Sequence, residues 1–159
     1  MKRRNLLAAV AVALPFAVFS ASLAAQPTTK SVAGTYSAVS VPAFGDKPYG
    51  QMILLPGGRY SIIVRRAKLA PVASGVRNKG TDAENKLLVD GSISHFGKYT
   101  IDDAGKSITF HVEQSSFPNW DGKPQKRALT VKGDLLTYTV VAPSIGGPAN
   151  DVVWRKNKK

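Results

Sequence analysis

The chain has 159 residues, 43% of them hydrophobic and 20% charged, which is enough for one domain around a single core. It has no cysteine, so disulfides and Cys-ligated zinc are excluded and stability rests on packing and hydrogen bonding. The formal charge of +12 favours contact with anionic surfaces, but no helix-turn-helix, zinc module or stacking-aromatic motif accompanies it, so nucleic acid is not an expected partner.

Residues 1–24 read as a secretory signal peptide. Residues 1–4 (MKRR) are basic, residues 6–19 are almost uninterruptedly apolar, and the small residues Ser22, Ala24 and Ala25 follow. Cleavage is expected near Ala24 or Ala25. The apolar run is short for a bilayer span. Arg3-Arg4-Asn5-Leu6-Leu7 also has a faint twin-arginine character, although a plain basic n-region accounts for the same residues. The mature product, residues 25–159, is expected to be exported, as a periplasmic or secreted protein. Its formal charge falls to +9 once Lys2, Arg3 and Arg4 leave.

Strand patterns then follow one another. Residues 34–41 alternate, with Tyr36 and Ala38 on one side and Val39 and Val41 on the other. Residues 49–55 and 59–64 flank Pro56-Gly57-Gly58, a hairpin signal. Residues 66–90 break the rhythm as a long basic loop, in which Thr81 can cap a short helix running to about Val89. Residues 93–101 and 107–115 flank the turn Asp102-Asp103-Ala104-Gly105. The connection SSFPNWDGKPQKR (115–127) comes next, with Pro118, Asp121-Gly122 and Pro124 as its turn residues. Residues 126–131 and 135–141 flank Lys132-Gly133-Asp134, and residues 152–155 complete the set. Eight short sequential strands favour an all-β, antiparallel up-and-down meander closed into a barrel. Closure removes exposed edges and leaves room for side chains plus one small ligand.

Four stretches stand out: Gly34-Thr35-Tyr36, YGQMILLPGGRYSIIVRR (49–66), the run from Phe96 through PNWDG to Leu136, and Val153-Trp154-Arg155. On these the mature chain resembles the lipocalin-like domain family of small bacterial and fungal barrels. Where lipocalins usually open with Gly-x-Trp, this chain has Tyr36 as the aromatic. The resemblance implies an eight-stranded lipocalin-like barrel holding a small, largely apolar molecule, and it carries over no catalytic mechanism.

The polar residues divide into several candidate sites. If Ile101 pairs with Ser107, then His95, Tyr99, His111 and Glu113 share one face. A His–Glu pair there could serve acid–base chemistry or be a solvent-side cross-strand pair, and a one-residue slip would undo it. Two His and one Glu could also suggest a metal, but no short-spaced His pair exists, so no metal or other cofactor is assigned. Arg127 alternates with Lys126 and Ala128, so it is expected to point inward with Leu129. Buried there it must be paired or stacked, with Glu113, Trp120 or Tyr36 as candidates. It could clamp the structure or anchor an anionic head group. Trp120 is expected to plug one barrel end or cover the pocket mouth.

These readings favour an exported, monomeric barrel binding a small hydrophobic or amphipathic ligand. The expected lining is Tyr36, Met52, Tyr60, Ile62, Tyr99, His111, Glu113, Trp120, Arg127, Leu129 and Tyr138. The alternatives are a small isomerase or cyclase using His111 with Glu113 or Tyr99, and an envelope protein whose basic residues 68–79 dock on anionic membrane or polymer.

Overall fold

Strict alternation of apolar and polar side chains forces one face of each strand inward, and a curled sheet is the simplest way to bury all those faces together. The computed structural model, which describes residues 25–158, has eight strands: β1 (Gly34–Ser40), β2 (Tyr49–Leu54), β3 (Arg59–Arg65), β4 (Ser92–Ile101), β5 (Ser107–Ser115), β6 (Pro124–Lys132), β7 (Leu135–Val140) and β8 (Asn150–Lys156). Each pairs antiparallel with its neighbour in sequence, and β8 closes on β1, so the barrel is complete. The expected signal segment, residues 1–24, lies outside the described residues.

The long connection between β3 and β4 carries α2 (Asp82–Asp90). Thr81 and Glu84 form its capping box, with acidic residues in the first turn to meet the helix dipole. No residue of α2 is buried, so the helix lies outside the barrel core.

A second helix was not foreseen. α1 (Thr29–Val32) is only four residues long, too short for any periodic signal, and is fixed by a capping box between Thr28 and Ser31. It closes one end of the barrel, here called the base. The Tyr36 hydroxyl donates to the Val32 carbonyl, and the Tyr99 hydroxyl lies 2.9 Å from the carbonyls of both Thr29 and Leu55. Burial pushes both phenols up to about 12, so they keep their protons and act as donors. Interior side chains including Met52, Leu54, Tyr99, Ile108, Leu136 and Trp154 are almost wholly enclosed. The barrel interior is therefore largely packed, not hollow.

The β4–β5 hairpin differs from its expected register. Ile101 pairs with Ile108, one residue beyond the expected Ser107. The cause lies in the turn: the Asp102 carboxylate accepts N–H bonds from Lys106 and Ser107, which lengthens the loop. A bulge between Phe96 and Gly97 then adds Glu113 on β5 as an unmatched residue, so His95 faces Ser115. The two irregularities place Ile108, Phe110 and Val112 inside and His111, Glu113 and Gln114 outside.

Candidate functional site

Opposite the base, the barrel ends in longer connections, and the packing opens into a cavity of about 50 Å³. Ile62 and Val64 of β3 and Val152 of β8 form its floor and walls, and Val41, Ala43 and Phe44 line it from the β1–β2 connection. Val140 of β7, Pro143 and Ser144 of the loop that follows, and Asn150 at the start of β8 complete the rim. Trp120 covers it from the PNW turn (Pro118–Trp120), where Pro118 fixes the first position of a 3-10 turn. Its ring meets the edge of His95 at 5.5 Å between centroids and that of Phe117 at 5.8 Å. Trp120 thus covers the mouth and does not plug the base.

His95 and Arg127 are the buried polar groups of a lining that is mostly apolar, with Ser144 and Asn150 at its rim. His95 is 4% exposed, and its Nδ1 lies 2.9 Å from the Tyr60 hydroxyl. Burial, helped by the nearby Arg127 charge, pushes the imidazole pKa down to about 3, so the ring is neutral at ordinary pH. Burial also raises the Tyr60 phenol well above its usual value. A protonated phenol donating to Nδ1 gives both groups a partner and leaves the ring proton on Nε2.

Arg127 is 6% exposed, pointing inward as its alternation with Lys126 and Ala128 requires. Its partners differ from the expected ones. Its guanidinium carbon sits 4.8 Å from the centre of the Tyr138 ring and 5.3 Å from that of Phe110, and one nitrogen donates to Gln125 Oε1 at 2.5 Å. Glu113 instead pairs with Arg59 on the outer surface at 2.7 Å.

A scan against family models matches residues 30–156 to the lipocalin-like domain. The chain belongs to the lipocalin-like domain family. It is also 30% identical over 86 residues to the 4'-hydroxy-3'-methoxypropiophenone carrier protein ppsC of Aspergillus oryzae, covering 48% of this chain and 78% of that relative.

Within this lipocalin-like barrel, the residues expected to line a ligand site fall into three groups. Ile62, Trp120, Arg127 and Tyr138 line the mouth cavity, and Tyr60 joins them through His95. Tyr36, Met52, Tyr99 and Leu129 are buried in the core, with Tyr36 and Tyr99 tied to α1 at the base. His111 and Glu113 point outward, where His111 Nε2 lies 3.2 Å from Thr100 Oγ1. The four groups expected to share a face are therefore split: His95 and Tyr99 inside but at opposite ends, His111 and Glu113 outside. His111 and Glu113 keep a common face, but it is the outer one, where they meet Thr100 and Arg59, apart from the buried Tyr99 and His95.

Several lining residues were not singled out from sequence. Phe44, Val140, Pro143 and Asn150 belong to turns or strand ends, where alternation gives no face. The missed pairing of His95 with Tyr60 had a signal: Tyr60 and Ile62 share the inward face of β3, and Ile62 lies directly opposite His95.

Proposed function

We propose that this protein is an exported carrier that holds one small, largely apolar aromatic molecule at the mouth of its barrel. The observation that carries the proposal is the cavity itself. It is apolar on most sides, it is capped by Trp120, and it sits above a packed interior. Its size limits the guest. At about 50 Å³ it is far below the roughly 300–1,000 Å³ of ordinary ligand pockets. A single ring requires Trp120 to swing aside, whereas a long acyl chain would have to displace the packed core as well. The similarity to a carrier named for a small aromatic ketone supports the same class of guest. Export rests on the plan of residues 1–24 and predicts a mature chain beginning near residue 25 or 26.

Fluorescence titration tests the carrier reading directly. Of the two tryptophans, Trp120 lies at the cavity and Trp154 is enclosed, so a ring entering the mouth quenches the Trp120 component. Single-ring aromatic ketones should quench it saturably and long-chain fatty acids should not. Absence of saturable quenching and of binding heat with every small aromatic tried would sink the proposal. Mass measurement of the protein from the extracellular or periplasmic fraction tests export, and an intact chain retained in the cytoplasm would overturn it.

A further inference from the structure

The mouth cavity contains a cation with no anion beside it. Among the described residues the ion pairs join Arg59 to Glu113, Lys86 to Asp90 and Arg155 to Asp134, all on the exposed surface. Arg127 is in none of them. A guanidinium offers five N–H donors, and its side-chain partners here, Gln125 and the Tyr138 hydroxyl, leave others uncommitted. The fully enclosed side-chain atoms without a partner, among the described residues, are Ser107 Oγ and Trp154 Nε1. Arg127 and His95 both line the cavity. A guest entering the mouth therefore meets a fixed positive fork from Arg127 and, from His95, a neutral N–H held in place by Tyr60.

We propose that Arg127 and His95 form an anion subsite, so that the cavity selects aromatic molecules carrying an ionisable oxygen and binds them in the ionised form. The inference rests on the carrier reading and adds to it the charge state of the guest. The arrangement favours an anion for a definite reason. The cost of desolvating Arg127 is already met in folding, and the ring faces of Phe110 and Tyr138 hold the guanidinium without neutralising it. A carboxylate or phenolate oxygen then gains a charge-assisted hydrogen bond in a low-dielectric site. A neutral ether oxygen at the same place gains much less. The apolar walls hold the ring and the two nitrogens orient it, so the substituent with the acidic proton enters first.

The test uses the full mature protein and three probes. Para-hydroxyacetophenone has an acidic phenol, para-methoxyacetophenone is its neutral ether, and para-hydroxybenzoate carries a carboxylate. At a pH about one unit below the phenol's own pKa, the bound hydroxy compound should show the long-wavelength phenolate band, which the free compound largely lacks. The ether should bind at least about 30-fold more weakly than the phenol, the loss expected on removing one member of a buried charge pair. Para-hydroxybenzoate separates the two sources of charge. If it binds more tightly than the phenol, the subsite takes a carboxylate. If it binds more weakly, the subsite takes a phenolate. In Arg127→Met the phenolate band should vanish and the affinities of phenol and ether should converge. Equal affinities and no phenolate band in the wild-type protein would overturn the subsite while leaving the carrier reading intact. No binding of any probe would overturn both. The band in the wild-type protein decides the question even if the variant does not fold.

Discussion

The Tyr60 hydroxyl and His95 Nδ1, 2.9 Å apart across neighbouring strands, turn a buried histidine into a neutral, oriented donor at the mouth of the barrel. That relationship makes stability depend on pH. The folded imidazole protonates only near pH 3, whereas an unfolded one does so near 6.5. Between those values the unfolded chain binds more protons, so stability falls as pH falls, by about 1.4 kcal/mol per unit. The depressed carboxylates Glu84 and Asp102 add losses only lower down, as pH falls through the carboxylate range. Urea midpoints between pH 7 and 5 should therefore decline in the wild-type protein and stay nearly flat in His95→Gln. Parallel curves for the two proteins would show that His95 is not the titrating group.

Tyr60→Phe removes the hydroxyl and its hydrogen bond while keeping the ring. It should cost about 1–3 kcal/mol, because His95 Nδ1 is then enclosed without a donor. Combined with His95→Phe, the second loss should be much smaller than the first. Additive losses in that double-mutant cycle would contradict the pairing.

Arg127→Met distinguishes a structural clamp from a ligand anchor. A buried charge with no carboxylate partner is costly, so replacing it with an apolar side chain of similar length should leave the fold as stable or more stable by about 1 kcal/mol. Denaturant unfolding measures this. A loss above about 2 kcal/mol would identify Arg127 as a clamp, since a ligand anchor does not need to hold the free barrel together.

Trp120→Ala should lower the affinity for aromatic guests more than it lowers stability. The ring is partly exposed and covers the cavity without filling the core, so unfolding should shift by about 1 kcal/mol at most. It also exposes His95 to water, which should lift the imidazole pKa toward its normal value. Histidine NMR titration reads the second effect independently of any ligand.

Gly97→Ala tests what sets the faces of β5. An added Cβ would lie 2.1 Å from the His111 carbonyl oxygen and 2.8 Å from the Glu113 amide nitrogen, so the backbone of the bulge must move. The expected loss is about 3 kcal/mol. Amide exchange should quicken in β4 and β5 before the rest of the sheet; unchanged stability would mean the bulge is not required.

How much of this was legible in the sequence varies with the element. The strands were, because alternation fixes which residues go inward whenever the pairing is regular. Arg127 inside and Lys126 outside follow from that rule alone. The inward turn of β5 was not, because register depends on turn geometry and bulges, set here by the Asp102 carboxylate and by the bulge at Gly97. A one-residue difference there exchanged His111 and Glu113 for Phe110 and Val112 on the inner face. The cavity was only half legible. Its strand residues follow the alternation, whereas Phe44, Pro143 and Trp120 are brought to it by turns whose direction no periodicity encodes.

The seal made by α1 has a geometric consequence for how the molecule can be displayed. Residue 25 and the end of β8 both emerge at that sealed pole, where Lys156 donates to the Ser31 carbonyl. Any leader, tag or tether at either terminus therefore attaches on the side away from Trp120. A molecule fixed to a surface through one of its ends would stand with its open pole facing outward, free to load and unload.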